Sequence, residues 1–252
     1  MMSNPFDLTG RCALVTGGGR GLGLGISEAL LEAGADVIVV GRSPIPAGLT
    51  KHAANLGREV HFVALDLADS DAIAATAAEV LAVHRVDILV NNAGTQDRYP
   101  ALDFPLEAWD AVLDVNLRAV FQLCQLFGAP MVERGEGKIV NLASLLSFQG
   151  GMTVPAYAAS KGAVAQLTKA LCNEWSGRGV NVNAVAPGYM ATEMNAALLA
   201  DPVRLEQLST RIPAGRWGQP KDIGNVVVFL ASAAAGYVHG QVLAVDGGWM
   251  AR

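Results

Sequence analysis

Residues 11–33 read RCALVTGGGRGLGLGISEALLEA. The apolar run 11–16 leads into glycines at positions 17, 18, 19, 21 and 23, and residues 24–33 then show helical periodicity. This order predicts a strand, a glycine turn and a helix. It suits a dinucleotide, because glycines let the backbone approach a pyrophosphate and a helix N-terminus offers unpaired N–H groups. The glycine spacing is G-x-x-x-G-x-G and not G-x-G-x-x-G, and the alternative is a tight connection without a ligand.

The rest of the chain alternates predicted strands and helices. Strands are predicted at residues 36–40, 59–65, 86–90, 138–144, 180–185 and 241–245, and helices at about 70–83, around 109–116 and at about 221–234. This alternation indicates an α/β fold: a single-domain Rossmann-type doubly wound parallel sheet of about seven strands, with helices on both faces, spanning residues 1–252. Prolines and glycines interrupt residues 193–218, which predicts a mobile substrate lid at about 189–218.

Composition narrows the class of protein. A chain of 252 residues with 52% hydrophobic and 16% charged residues can bury one large core. The net charge of -5 argues against a nucleic-acid surface. Three distant cysteines indicate buried thiols in a reducing compartment, and four histidines without ligand spacing predict no metal site. Residues 223–245 lack charge but are interrupted by polar side chains, so we expect no membrane span and a soluble, cytoplasmic protein.

The chemistry centres on Tyr157 and Lys161, which lie four residues apart on a segment with a helical pattern. Residues at this spacing project from one face, so a phenol and an ammonium become neighbours. The cation lowers the pKa of the phenol, and Tyr157 can then exchange the proton that accompanies a hydride transfer. Ser144 ends the predicted strand 138–144, from which its hydroxyl can hold a substrate oxygen against the phenol. Such Tyr and Lys pairs also occur by chance in many helices.

The end of the second predicted strand bears on the choice of cofactor. It carries Gly41, Arg42 and Ser43, without a carboxylate for a ribose 2′-hydroxyl. Arg42, together with Arg20 of the glycine turn, can instead pair with a 2′-phosphate, which favours NADP over NAD. The alternative is that both arginines are solvated surface charges.

Other candidate residues follow predicted strands or lie near them. Asp66 and Leu67 can meet an adenine edge, the small residues 91–94 leave room for a flat ligand, and residues 187–192 form a turn suited to a nicotinamide amide. Asn116 is a poor helix former among apolar neighbours. It either caps a kink or binds a water that connects Lys161 to solvent.

These motifs, in this order and spacing, resemble those of the short-chain dehydrogenase/reductase family over essentially the whole chain. The resemblance implies a homotetramer and a catalytic tetrad of Asn116, Ser144, Tyr157 and Lys161. In it Tyr157 is the acid/base, Ser144 orients the carbonyl or alcohol, Lys161 binds the nicotinamide ribose and lowers the phenol pKa, and Asn116 holds a proton-relay water. We expect the dinucleotide, NADP or NAD, to be bound by Thr16, Gly17, Gly19, Arg20, Gly21, Leu22, Gly23, Arg42, Asp66, Leu67, Asn92, Ala93, Gly94, Tyr157, Lys161, Pro187, Gly188 and Thr192.

A narrower resemblance is carried by residues 146–151, 211–218 and 245–252. They resemble the 2-dehydro-3-deoxy-D-gluconate 5-dehydrogenase subgroup, which interconverts a hydroxyl and a ketone on an acidic deoxy sugar in uronate breakdown. Such a substrate needs a cation for its carboxylate, and Arg98 and Arg216 are the candidates. Gln149, Tyr189 and Ser144 are the candidates for its hydroxyls and carbonyl. Arg216 and Trp217 can alternatively anchor the lid. The subgroup generally uses NAD, which disagrees with the interpretation of Arg42.

Three other functions remain open at this point. A 3-oxoacyl carrier-protein reductase would share the tetrad and use NADP, but it calls for a basic docking face that this acidic chain lacks. A reductase of 4-deoxy-L-erythro-5-hexoseulose uronate would act on a related acidic carbonyl compound. A non-catalytic dinucleotide sensor has no use for a tuned phenol, so the complete tetrad argues against it.

Overall fold

The computed structural model describes residues 4–252. Seven parallel strands form one sheet in the order β3-β2-β1-β4-β5-β6-β7. Their bounds are β1 Cys12–Thr16, β2 Asp36–Gly41, β3 Val60–Ala64, β4 Ile88–Asn91, β5 Gly137–Leu142, β6 Val180–Pro187 and β7 Val242–Val245. The predicted doubly wound parallel sheet is therefore confirmed.

Helices cover both faces of the sheet. They are α1 Gly21–Glu32, α2 Ala47–Asn55, α3 Ser70–Val83, α4 Leu106–Leu113, α5 Ala119–Arg134, α6 Pro155–Trp175, α7 Ala196–Leu199, α8 Pro202–Ser209 and α9 Pro220–Ala231. One core contains residues of α3, α5 and α6, and the other contains residues of α1, α2 and α9. Adjacent residues of β1 join opposite cores, Leu14 the first and Val15 the second, because successive strand side chains point to opposite faces.

The strand order places the candidate site. Since β1 pairs with β2 on one side and with β4 on the other, the direction of winding reverses between β1 and β4. Ligands of such sheets bind outside the carboxyl ends of the strands at this reversal. The turn after β1, the loop after β4 and the segment after β5 all emerge there.

Buried polar side chains connect the sheet to α6. Asn91 of β4 lies opposite Asn141 of β5, and its amide donates to the Asn141 side chain at 2.9 Å. The Asn141 amide donates in turn to the Thr168 hydroxyl of α6 at 3.0 Å. Because an unpaired polar group would be costly in this core, these bonds favour a single position of α6 against the sheet.

Some boundaries differ from the sequence prediction. Strand β5 ends at Leu142, so Ser144 does not close a strand but caps the short 3-10 helix Leu145–Ser147. The segment Asp114–Arg118 between α4 and α5 is a π-helical turn. The predicted lid region contains α7 and α8 and is not uniformly irregular. Among the helices of residues 4–252, none is both long and apolar enough to cross a membrane.

Candidate active site

The glycine turn brings α1 directly onto the end of β1. Gly17 and Gly21 have φ of +65° and +52°, a region that side chains rarely adopt. A Cβ added to Gly23 would lie 2.0 Å from the carbonyl oxygen of Gly17, so only glycine allows the first turn of α1 to pack there. Arg20 precedes α1 with extended dihedrals and no side-chain capping bond. No side chain caps this helix N-terminus, so its backbone N–H groups can bind an anion. Such a site fits the pyrophosphate of a dinucleotide.

Thr16 and Asn92 hold the ends of β1 and β4 together. The Thr16 hydroxyl accepts from the backbone N–H groups of Asn92 and Ala93 at 3.0 Å each. The Asn92 amide donates to the carbonyl oxygen of Thr16 at 2.8 Å. The side chain of Thr16 is buried and occupied by these bonds, so it shapes the turn and does not itself face a ligand.

Tyr157 and Lys161 lie one turn apart on α6, as the spacing predicts. The Lys161 Nζ atom lies 5.7 Å from the centre of the Tyr157 ring and donates to the carbonyl oxygen of Leu142 at 2.6 Å. Lys161 is buried, and Tyr157 is half-buried. The Ser144 hydroxyl interacts with the Tyr157 hydroxyl from the opposite segment. Three of the four expected catalytic side chains therefore meet at one point.

Burial sets the pKa values of this pair. Burial raises the pKa of Tyr157 above its usual value of 10, and the hydrogen bond with Ser144 works in the opposite direction. Burial also lowers the pKa of Lys161 to about 8. The sequence predicts that Lys161 lowers the phenol pKa. Desolvation of the phenolate acts against that lowering and is the largest influence on the pKa of Tyr157.

Asn116 lies in the π-helical turn and is fully buried. Its amide nitrogen donates to the carbonyl oxygen of Thr95 at 2.8 Å and to the Ser160 hydroxyl at 3.1 Å, while Oδ1 accepts from Thr95 N at 2.8 Å. Both amide hydrogens are thus used, and a relay water at this side chain would have to donate to Oδ1. A Cβ built on Gly94 would lie 3.2 Å from Oδ1 and 3.7 Å from Lys161 Nζ, so both atoms border one small space.

The residues expected at the far end of the dinucleotide are exposed. Arg42 exposes 72% of its side chain and approaches Asp66 at 4.0 Å, and Arg20 is also exposed. Both guanidinium groups are exposed enough to meet a phosphate. Leu67 is buried in the core. Thr192 lies across the glycine turn, with its Cβ 4.0 Å from the Cβ position of Gly21.

The substrate candidates have different surroundings. Arg216 forms a bidentate ion pair with Asp222 at 2.7 and 3.0 Å and donates to the carbonyl oxygen of Trp217 at 3.1 Å. These contacts tie the lid to the first turn of α9. They favour the anchoring interpretation of Arg216 over the binding of a carboxylate. Arg98 is exposed on the loop after β4. Gln149 accepts from Trp249 Nε1 at 3.4 Å.

Trp249 joins the lid to the segment after Ser144. It packs in a small core with Leu145, Ile212 and Trp217, and its ring lies 4.7 Å from that of Tyr189. The Arg211 guanidinium lies 4.0 Å from the centre of the Trp249 ring. Among the described residues, Arg211 forms no ion pair, so its guanidinium can still bind the carboxylate of a ligand.

Sequence reasoning missed Arg211, the role of Trp249, and two serines. Ser160 donates to the carbonyl oxygen of Tyr157 at 2.8 Å and accepts from the amide of Asn116. Ser147 contacts the backbones of Ser144 and Lys161. A capping-box spacing from Ser144 to Ser147 was the one local signal, and it is weak because the usual third residue is Glu or Gln.

Comparison with known proteins gives matches over nearly the whole chain. A family model described as enoyl-(acyl carrier protein) reductase matches residues 17–250. A Bacillus subtilis protein named 2-dehydro-3-deoxy-D-gluconate 5-dehydrogenase is 51% identical over 251 residues, covering 100% of this chain and 99% of the relative.

Two crystal structures are similarly close. One from Beutenbergia cavernae, provisionally described as an NAD(P)-dependent gluconate 5-dehydrogenase with NADP at low occupancy, has TM-score 0.95 and 52% identity, covering 99% of this chain and 100% of the other. A gluconate 5-dehydrogenase from Burkholderia cenocepacia in complex with NADP and tartrate has TM-score 0.93 and 42% identity, covering 98% of each chain. The resemblance inferred from the motifs is confirmed.

Proposed function

Because the chain belongs to the short-chain dehydrogenase/reductase family, we propose that it interconverts a ketone and a secondary alcohol on an acidic deoxy sugar of the 2-keto-3-deoxygluconate type. It is an NAD(P)-dependent oxidoreductase. The observation that carries the proposal is the 51% identity to a 2-dehydro-3-deoxy-D-gluconate 5-dehydrogenase across the full chain. The meeting of Ser144, Tyr157 and Lys161 beside the turn after β1 supports the reaction type.

In the proposed reaction Tyr157 donates a proton to the carbonyl oxygen during reduction and accepts it during oxidation. Burial keeps the phenol protonated at neutral pH, so Tyr157 is ready to act as the acid. Ser144 would hold the same oxygen through its hydroxyl. Lys161 would contact the nicotinamide ribose and keep positive charge near the phenol. Asn116 would hold the water that connects Lys161 to solvent.

The residues around the turn after β1 fit a nicotinamide dinucleotide, which supplies or takes up the hydride when bound. Gly17, Gly21 and Gly23 would let the backbone approach the pyrophosphate at the uncapped N-terminus of α1. Residues 92–94 and 187–192 would line the nicotinamide half, and Asp66 with Leu67 the adenine half.

We propose NADP as the preferred cofactor. Arg42 is exposed directly after β2, where a 2′-phosphate would lie, and Arg20 is exposed at the start of α1. A guanidinium binds phosphate through paired hydrogen bonds. The relatives from Beutenbergia cavernae and Burkholderia cenocepacia bind NADP, which supports this choice. The approach of Arg42 to Asp66 is too long and too exposed to occupy the guanidinium fully.

The substrate carboxylate would be bound by Arg98 or Arg211. Arg216 is a poorer candidate because its donors are engaged by Asp222. The Arg211 guanidinium lies over the ring of Trp249. Gln149 and Tyr189 contact the same Trp249 side chain and would contact substrate hydroxyls. Tartrate in the Burkholderia cenocepacia relative is a hydroxy acid, which supports an acidic ligand in this group of proteins.

The proposal also includes the oligomeric state, the substrate lid and the cellular compartment. A depression beside α5 supports the expected homotetramer, since it combines apolar side chains with an Asp114–Arg118 ion pair; its apolar lining is Leu113, Leu117, Phe121 and Leu167. Residues 189–218 would act as the substrate lid of one catalytic domain. The three cysteines are free, which supports a reducing compartment such as the cytoplasm. The role in uronate breakdown rests on the similarity to the 2-dehydro-3-deoxy-D-gluconate 5-dehydrogenase.

A rate assay at the nicotinamide absorbance band tests the substrate. Purified protein is given NADPH or NADH with 2,5-diketo-3-deoxy-gluconate-type keto acids, 4-deoxy-L-erythro-5-hexoseulose uronate and a 3-oxoacyl thioester. The proposal expects the highest kcat/KM with the first group. The family model named for carrier-protein reductases makes the thioester the second candidate, and faster turnover of it would overturn the sugar assignment.

A further inference from the structure

We propose that Ser147 is a positioning residue for the reaction, because its hydroxyl ties the segment that carries Ser144 to the helix that carries Tyr157 and Lys161. This inference rests on the proposed oxidoreductase function, but it does not depend on which ketone is the substrate.

The contacts of Ser147 reach the backbones of two catalytic residues. Its hydroxyl donates to the carbonyl oxygen of Lys161 at 2.6 Å and accepts from the N–H of Ser144 at 3.2 Å. The Ser144 hydroxyl accepts in turn from the N–H of Leu146 at 3.2 Å, which closes the turn. One hydroxyl therefore bridges the beginning of the 3-10 helix and the interior of α6.

The covalent connection between these segments does not fix their separation. Residues 148–154 join them without helix or strand, and Phe148, Gln149, Gly150 and Met152 are exposed. Thr153 has φ of +63°, a conformation that a side chain makes costly. In a helix the Lys161 carbonyl also serves the residue four positions later, so the bond from Ser147 uses its second lone pair. Ser147 thus links the backbones of the two segments directly, in addition to the contact between the Ser144 and Tyr157 side chains.

The bridge matters for the chemistry because the Ser144 hydroxyl must meet the substrate oxygen and the Tyr157 phenol together. A displacement of about 1 Å in a reacting group can cost on the order of 100-fold in rate, and the bonds of Ser147 oppose such a displacement. The helix of Tyr157 is held to the sheet by the bond between Asn141 and Thr168, so we expect the segment of Ser144 to shift when the bridge is lost.

Ser147→Ala, Ser147→Thr and Ser232→Ala form the test set. Ser232 is a matched control: its hydroxyl donates to the carbonyl oxygen of Phe229 at 2.8 Å, accepts from Ala234 N at 3.3 Å, and caps a 3-10 helix far from Tyr157. Each variant is assayed with the best ketone substrate of the wild type, and rates are normalised to folded protein by thermal melting and by titration of NADPH fluorescence.

Ser147→Ala should lower kcat by about 10-fold to 100-fold while the dissociation constant of NADPH stays within about twofold. Ser147→Thr keeps the hydroxyl and should recover most of the rate. Ser232→Ala should lower the melting temperature to a similar extent without changing kcat. In oxidation, Ser147→Ala should shift the rise of kcat/KM to higher pH, since Ser144 then stabilises the Tyr157 phenolate less well.

A double-mutant cycle separates positioning from a general structural effect. If Ser147 acts through Ser144, Ser147→Ala should cost much less in the Ser144→Ala background than in the wild type. Equal costs in both backgrounds, or a kcat loss in Ser147→Ala matched by Ser232→Ala, would overturn the proposal. Failure of the wild type on keto acids alone would instead reject the proposed substrate and leave this test intact on another ketone.

Discussion

The Lys161 ammonium lies 5.7 Å from the centre of the Tyr157 ring and donates a 2.6 Å hydrogen bond to the carbonyl oxygen of Leu142. It is buried, and among the residues described it has no carboxylate partner. Its pKa of about 8 reflects the cost of taking the charge out of water. A buried ammonium that destabilises the fold in this way is best accounted for by a role in the catalytic site.

Lys161→Met should therefore stabilise the fold while it removes activity. The shift of the Lys161 pKa from 10.5 to about 8 corresponds to a destabilisation of up to about 3 kcal/mol at pH 7, less the bond to Leu142. Chemical denaturation at pH 7 should give a higher unfolding free energy for the variant. A lower value would mean that the bond to Leu142 outweighs the desolvation of the ammonium.

The pH dependence of this difference provides the control. Between pH 8 and 10.5 the unfolded chain keeps the Lys161 proton while the folded chain releases it, so the unfolded state binds more protons. The unfolding free energy of the wild type should therefore rise relative to Lys161→Met as pH increases through this window, and the gap should be constant below it. A gap that does not change with pH would show that Lys161 is not buried as a cation.

Sequence reasoning located Tyr157 and Lys161 because their relationship is local: a spacing of four on a helix is sufficient to place them on one face. It located the glycine turn for the same reason, since strand, turn and helix follow one another. It could not give the burial of Lys161, which depends on the strand β5 that covers it. Burial of Tyr157 itself, which also depends on the tertiary fold, raises the phenol pKa and opposes the lowering that the sequence predicts from Lys161.

Contacts between residues distant in sequence or in separate elements explain the other features that the sequence did not predict. Trp249 reaches Gln149 across 100 residues of sequence, and no local pattern links them. Arg216 is only six residues from Asp222, yet their pairing depends on a bend from the lid into α9. The sequence predicts a strand that ends at Ser144 because the apolar run continues to it, whereas pairing with β6 stops at Leu142.

Tyr157→Phe should remove the proton donor without disturbing the dinucleotide site. The change deletes one hydroxyl, and the loss of a positioned acid typically costs about 100-fold to 10,000-fold in kcat. Initial rates should fall by this order, while titration of NADPH fluorescence should give a dissociation constant within about twofold of the wild type. Near-normal turnover would refute the role assigned to Tyr157.

The rates of alcohol oxidation and ketone reduction by the wild type should depend differently on pH. Burial raises the pKa of Tyr157, so alcohol oxidation, which needs the phenolate, should accelerate as pH rises above neutrality. Ketone reduction needs the protonated phenol and should show no such acceleration. Tyr157→Phe should lose the pH-dependent rise in oxidation along with the rate.

Arg42→Ala tests the preference for NADP. If the guanidinium binds the 2′-phosphate, the KM for NADPH should rise about 10-fold, as expected for a charge-assisted hydrogen bond, and the KM for NADH should change by less than about twofold. Arg178→Ala is the matched control, since Arg178 is also exposed but follows α6 at the other end of the sheet. Equal shifts for the two cofactors would remove the case for a phosphate contact.

Arg98 and Arg211 make competing predictions for the substrate carboxylate. Each is changed to Gln, and KM is measured for a keto acid and for its neutral amide. The residue that binds the carboxylate should raise the KM of the acid by about 10-fold and leave that of the amide nearly unchanged. Arg211→Lys keeps the charge but not the planar group that stacks on Trp249, so it should restore binding only in part.

Arg216→Ala is the control for this comparison, because it breaks the ion pair with Asp222 and releases the lid from α9. A loosened lid affects any substrate, so this variant should raise KM for the acid and the amide alike. A rise in KM for the acid alone in Arg216→Ala would instead assign the binding of the substrate carboxylate to Arg216. It would also mean that the pair with Asp222 opens when the substrate arrives. Unchanged selectivity in all three variants would contradict the assignment of the carboxylate to an arginine of the lid or of the loop after β4.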